Sequence, residues 1–175
     1  MASVVLVGLM GAGKTTIGQL LAQKTQLDLI DLDQKIVADA GKRIPDIFEE
    51  VGEIGFRQLE TQALRESLAQ NVILSTGGGV VTQAVNRMLL KNCAVPVVYL
   101  QADASVLYRR VCGDNNRPIA KNLNLQGFQD LAQKRADFYE EVSDLTIKTD
   151  DTTPDMVTAQ IFSVYNFGEM NQLLS

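Results

Sequence analysis

The stretch Val4-Val5-Leu6-Val7-Gly8-Leu9-Met10-Gly11-Ala12-Gly13-Lys14-Thr15-Thr16 decides how the rest of the chain is read. An apolar run leads into G-x-x-x-x-G-K-T, and a helical pattern with apolar Ile17, Leu20 and Leu21 follows. Strand, glycine loop and helix in that order are the context in which this motif cradles phosphates. Glycine lets successive backbone N–H groups turn inward toward phosphate oxygens, where a side chain would obstruct the turn. The helix N-terminus adds partial positive charge. Lys14 has the reach for the β- and γ-phosphates, and the Thr15 hydroxyl can ligate Mg²⁺. Gly11, Ala12, Gly13, Lys14, Thr15 and Thr16 are therefore the candidate nucleotide-binding residues. The loop predicts a bound nucleoside triphosphate and leaves open what happens to its phosphate.

Bulk properties narrow the field. A chain of 175 residues suits one domain with a sizeable core. Its 46% hydrophobic and 21% charged content is that of an ordinary globular protein. A net charge of −5 argues against a nucleic-acid partner, which would want a basic surface. Cys93 and Cys112 lack metal-site spacing, so free thiols in a reducing compartment are expected. A core strand beginning at Ser3 or Val4 leaves no room for a targeting segment, and no apolar run is long enough for a membrane span. A cytoplasmic location is the expectation. The chain has no histidine, so acid–base work falls to carboxylates, lysine, tyrosine or water.

Strand-like runs at Val4–Val7, Leu27–Leu32, Val72–Ser75, Val95–Leu100 and Leu145–Lys148 recur between helical patterns. The helices are expected at about 14–25, 34–40, 45–50, 53–69, 82–91, 104–111, 127–140 and 154–165, from periodicity. This alternation predicts an α/β fold: a parallel sheet with helices on both faces. Ligands of such sheets bind beyond the carboxyl ends of the strands, which directs attention to the residues just after each strand.

After the second strand comes Asp31-Leu32-Asp33, whose two carboxylates would share a face if the segment stays extended. Asp31 is then a candidate for Mg²⁺, directly or through water, and Asp33 for an acceptor hydroxyl. The alternative makes Asp33 an N-cap. In Gly52-Glu53-Ile54-Gly55-Phe56-Arg57-Gln58-Leu59-Glu60, Phe56, Leu59, Ala63 and Leu64 have core spacing. Arg57 and Glu60 are either an ordinary surface pair or part of an acceptor-binding insertion. Ser75-Thr76-Gly77-Gly78-Gly79 places three costly glycines at a strand end, as suits close approach of a ligand to the backbone. No aspartate ends that strand, so Asp31 or Ser75 must help organise the metal. Cys112 to about Gln126, with a central Arg117-Pro118, has the composition of a mobile lid able to bring an arginine to the transferring phosphate.

Taken in order, Gly11-Ala12-Gly13-Lys14-Thr15-Thr16, Asp31-Leu32-Asp33, Phe56-Arg57-Gln58-Leu59-Glu60, Gly77-Gly78-Gly79, Arg117-Pro118 and Arg135…Tyr139-Glu140 closely resemble the shikimate kinase family. The likeness runs from about Val4 to Ile161. It implies a three-layer, nucleoside-monophosphate-kinase-like P-loop fold with a five-stranded parallel sheet in the order 2-3-1-4-5. One domain, 1–175, would carry a substrate-binding region at about 32–69, a lid at about 112–126 and a tail, 166–175, outside the likeness. The implied reaction moves the ATP γ-phosphate to the 3-hydroxyl of shikimate, on the route to chorismate and the aromatic amino acids. The resemblance makes Asp33 the hydroxyl-binding group and base. It makes Arg57 and Arg135 the carboxylate-holding pair, and Gly78 part of a backbone contact to the substrate. Arg117 becomes the lid arginine at the phosphates, Arg110 the arginine packing on adenine, and Thr15 the direct Mg²⁺ ligand. Lys14, Asp33 and Arg117 are thus the catalytic set. One departure is the loop Asp150-Asp151-Thr152-Thr153-Pro154, which lacks the adenine-side arginine that family members can carry.

These roles are chemically consistent. Arginine offers planar, bidentate recognition of a carboxylate. Aspartate is a weak base, but phosphoryl transfer has a loose transition state in which positioning and charge stabilisation dominate. ATP and shikimate are the expected ligands of a monomer with no nucleic-acid or membrane partner. The competing readings are another small-molecule kinase, such as a gluconate kinase, and a non-catalytic nucleotide-binding regulatory module.

Overall fold

The computed structural model describes residues 3–112 and 124–165. β1 (Val4–Val7) lies at the centre of a five-stranded sheet, between β3 (Val72–Ser75) and β4 (Val97–Gln101). β2 (Asp28–Asp31) pairs with β3, and β5 (Leu145–Lys148) with β4. Every pairing is parallel and the order is 2-3-1-4-5, as expected. β1 and β3 are buried at every position, whereas the edge strands β2 and β5 are partly open. A strand covered on both faces and paired on both sides is built mostly of apolar side chains, hence Val-Val-Leu-Val in β1 and Val-Ile-Leu before Ser75 in β3.

Seven helices are described: α1 (Lys14–Thr25), α2 (Leu32–Ala40), α3 (Ile44–Leu68), α4 (Ala84–Asn92), α5 (Ala104–Cys112), α6 (Leu125–Val142) and α7 (Pro154–Tyr165). α1 packs with α7, while α6 packs against α4, α5 and a 3₁₀ turn, Val80–Thr82. Because all strands run the same way, their C-terminal ends open on one edge. The glycine loop, Asp31, Thr76 to Gly79 and Thr149 meet there.

Several boundaries differ from the sequence expectation. α2 begins at Leu32, so Asp33 sits in the first helical turn and not in an extended segment. The cap is Asp31, whose Oδ1 accepts from the N–H groups of Asp33 (3.1 Å) and Gln34 (3.2 Å). β4 starts at Val97, after Pro96, and not at Val95. The helices expected at 45–50 and 53–69 form one element broken at Gly52, with φ 67° and ψ −175°. Open space surrounds that position, so Gly52 is required by its backbone angle and not by a close neighbour. The helix expected from 82 splits into the 3₁₀ turn and α4. α6 begins at Leu125, placing the last residues of the expected lid in a helix, and Cys112 ends α5. Arg117, the rest of the lid and the tail 166–175 lie outside the described residues.

Candidate active site

The glycine loop is shaped by what its neighbours leave room for. A Cβ on Gly8 would stand 2.6 Å from the Leu100 carbonyl oxygen, and one on Gly11 2.8 Å from a Val111 methyl. Gly13 has φ 90° and caps α1, so the first helical N–H groups face the loop. Lys14 is buried, and its Nζ donates to the carbonyls of Gly8 (2.7 Å) and Leu9 (3.0 Å), which folds the ammonium over the loop. Ala12 is packed in the core and Thr16 is exposed on the first turn of α1.

The Thr15 hydroxyl donates to Asp31 Oδ2 at 2.9 Å. Asp31 thus caps α2 with one oxygen and meets Thr15 with the other. Ser75, fully buried, is the residue paired with Asp31 across β2 and β3. Hydroxyl and carboxylate oxygens are hard donors that suit Mg²⁺, which takes one or two protein ligands and completes its shell with phosphates and water. Among the described residues no three acidic or thiol groups cluster into an all-protein metal cage. The donor set therefore fits a phosphate-bound Mg²⁺.

Across the cleft, Arg57 and Glu60 form no surface pair. Glu60 is fully buried, the Arg57 side chain is 11% exposed, and Nη1 reaches Oε2 at 2.8 Å. Glu53 lies 3.7 Å from Arg57 Nε on the solvent side. Phe56, stacked on Phe48 at 4.5 Å, anchors this turn in the core beside the guanidinium. The glycines after β3 close the arrangement. A Cβ on Gly77 would fall 2.7 Å from Asp33 Oδ1, and one on Gly79 2.5 Å from Arg57 Nη2. The triple glycine leaves space for the site's own carboxylate and guanidinium. Gly79→Ala is expected to displace the guanidinium and raise the acceptor KM about tenfold, leaving the ATP KM near its original value. Steady-state kinetics with each substrate varied checks this, and equal rises in both would refute it.

Burial pushes the Glu60 carboxyl above its ordinary value, Arg57 opposes that, and the Asp33 carboxylate adds to it. Between the unfolded value near 4.5 and the higher folded value, the folded chain holds more protons. Glu60's contribution to stability is therefore full below that interval and is lost as pH rises through it. Urea midpoints across about pH 4 to 8 should show the wild type losing stability relative to Glu60→Gln as pH rises. A flat difference would contradict the assignment.

Arg135 also faces this cleft: its Nη1 donates to the Gly78 carbonyl at 3.1 Å. The same oxygen accepts from the Tyr139 hydroxyl. Burial pushes Tyr139 far above the usual phenol range, which keeps its proton available for that bond. Gly78 thus contributes its carbonyl to hold Arg135. In the sequence Tyr139 stands in a motif without a role, because helical spacing cannot tell a core tyrosine from one bonded to a loop 61 residues away. Arg110 donates to the carbonyls of Gly11 (3.3 Å) and Thr149 (2.9 Å), joining the glycine loop to the segment that lacks an arginine.

A family model described as shikimate kinase matches residues 10–166. A shikimate kinase of Enterococcus faecalis is 43% identical over 163 residues, spanning 92% of this chain and 96% of that protein. A shikimate kinase from Acinetobacter baumannii, solved in complex with shikimate, superposes with a TM-score of 0.85 at 38% identity, covering 92% of this chain and 90% of that one. A gluconokinase from Sinorhizobium meliloti, at 17% identity and a TM-score of 0.57, shares the fold alone. With a family model over most of its length, relatives of about 40% identity and the same sheet order, the chain belongs to the shikimate kinase family and is an ATP-dependent kinase.

Proposed function

We propose that this chain transfers the γ-phosphate of ATP to the 3-hydroxyl of shikimate, with the residues of the cleft in the following roles. Arg57 and Arg135 hold the carboxylate, each presenting guanidinium donors from a different helix. Asp33, beside Gly77 and Glu60, orients the 3-hydroxyl in line with the γ-phosphate and receives its proton as the new P–O bond forms. The bond to the ADP oxygen breaks in the same displacement. Lys14 exchanges its carbonyl partners for β- and γ-phosphate oxygens. Arg110 packs beside the adenine, with the backbone around Thr149 completing that end. Arg117 neutralises the transferring group from the lid. Thr15, and Asp31 directly or through water, hold Mg²⁺. When bound, Mg²⁺ neutralises charge on the phosphate oxygens. The protein works as a cytoplasmic monomer.

The observation that carries this reading is the convergence of Asp33, Arg57 and Arg135 on one glycine turn next to the phosphate loop. An acid with neighbouring hydroxyls is the acceptor that uses both cations and the carboxylate. The test is ADP release measured with shikimate, with gluconate and with no acceptor. ADP formed only with shikimate supports the reading. Preference for gluconate, or ADP formation independent of any acceptor, overturns it.

A further inference from the structure

The two arginines assigned to the acceptor stand on separate helices, α3 and α6, so their spacing must be set by something that touches both. Two consecutive residues in the first turn of α4 do so. Asn86 is fully buried; its Nδ2 donates to the Val80 carbonyl at 3.0 Å, and its Oδ1 accepts from the Thr61 hydroxyl at 2.7 Å. Thr61 lies one helical turn after Arg57, and its Oγ1 is also 2.9 Å from the Arg57 carbonyl.

Arg87, with a side chain only 17% exposed, turns the other way. Its Nη1 donates to the carbonyls of Val81 (2.8 Å) and Thr82 (3.3 Å). Its Nε lies 3.1 Å from Glu141 Oε2, an ion pair without hydrogen-bond alignment, and its guanidinium sits 4.2 Å from the centre of the Phe138 ring. Phe138 and Glu141 flank Tyr139, one turn beyond Arg135. Adjacent helical residues point about 100° apart, so this pair can reach two different helices. Both also hold carbonyls of the 3₁₀ turn that follows Gly79. Hydrogen bonds fix Asn86 and Arg87 against the turn, and the Glu141 ion pair and the Phe138 ring contact tie Arg87 to α6.

We propose that Asn86 and Arg87 are positioning residues that fix the separation of Arg57 and Arg135, and with it the grip on the acceptor's carboxylate. Neither touches a substrate. The inference rests on the assignment of those arginines to the acceptor.

The test is a double-mutant cycle on acceptor KM. Arg87→Met keeps the bulk and removes the hydrogen bonds to the turn and the ion pair to α6. It should raise the acceptor KM about tenfold in the wild-type background and less than about twofold when Arg135→Ala is already present, with the ATP KM unchanged in both. If Arg87→Met does not fold, Glu141→Gln and Thr61→Val enter the same cycle, against Arg135→Ala and Arg57→Ala respectively. They remove the ion pair of one arm and the Thr61–Asn86 hydrogen bond of the other. A rise of equal factor in both backgrounds, an unchanged acceptor KM, or a parallel rise in ATP KM overturns the positioning role, since loss of stability alone would not distinguish backgrounds or substrates. An unchanged acceptor KM in Arg135→Ala by itself overturns the acceptor assignment, and the positioning role with it.

Discussion

Asp33→Asn is expected to lower kcat by about 10²–10⁴-fold, the usual weight of a positioned proton acceptor, while the ATP dissociation constant stays near its original value. Asparagine preserves the shape and can still bond to a hydroxyl, but it cannot take the proton. Asp33 lies in the first turn of α2, where a negative charge is favoured by the helix dipole, so the substitution should also cost roughly 0.3–1 kcal/mol of stability. Because Asp31 and not Asp33 caps the helix, the capping bonds survive. The helix therefore persists and the kinetic loss is read cleanly. Single-turnover kinetics and ATP titration check both parts. Near-normal turnover would remove Asp33 from the chemistry.

Arg57→Ala is expected to raise the acceptor KM on the order of 100-fold, as truncating one partner of a desolvated charge pair does. It should also destabilise the fold by about 3–5 kcal/mol, because Glu60 is left fully buried beside Asp33 without its counter-charge. The two losses separate in the double variant Arg57→Ala/Glu60→Gln. Removing the orphaned charge should restore most of the stability and none of the acceptor affinity. Thermal or urea unfolding gives the first quantity and steady-state kinetics the second. Equal losses for acceptor and ATP would take Arg57 out of the acceptor site.

The motifs carried much of this in advance, for identifiable reasons. G-x-x-x-x-G-K-T between a strand and a helix is a local structure, so its glycines, Lys14 and Thr15 were legible as a phosphate cradle. The apolar runs of β1 and β3 were legible because strands covered on both faces admit little else. Asp31-Leu32-Asp33 was legible as chemistry but not as geometry. Either aspartate can cap a helix, and the choice depends on which carboxylate also meets Thr15. Arg57 and Glu60 show the same limit: i, i+3 charge pairs are common on exposed helices, and spacing cannot reveal that this one is buried.

Sequence by itself determined the class of fold, the phosphate loop, the order of the strands through family likeness, and the residue types of the acceptor site. Local pattern suffices there because hydrophobic periodicity and backbone sterics act over a few residues. Only the tertiary structure decided that Asp31 is the cap and that Glu60 is buried behind Arg57. It also decided that Tyr139 and Arg135 share the Gly78 carbonyl, and that Asn86 and Arg87 span the two arginine helices. Those facts depend on burial and on bonds between residues far apart in the chain, which form only when the helices dock on the sheet. Docking turns a common charge pair into a desolvated one and a run of glycines into the space where a carboxylate and a guanidinium fit.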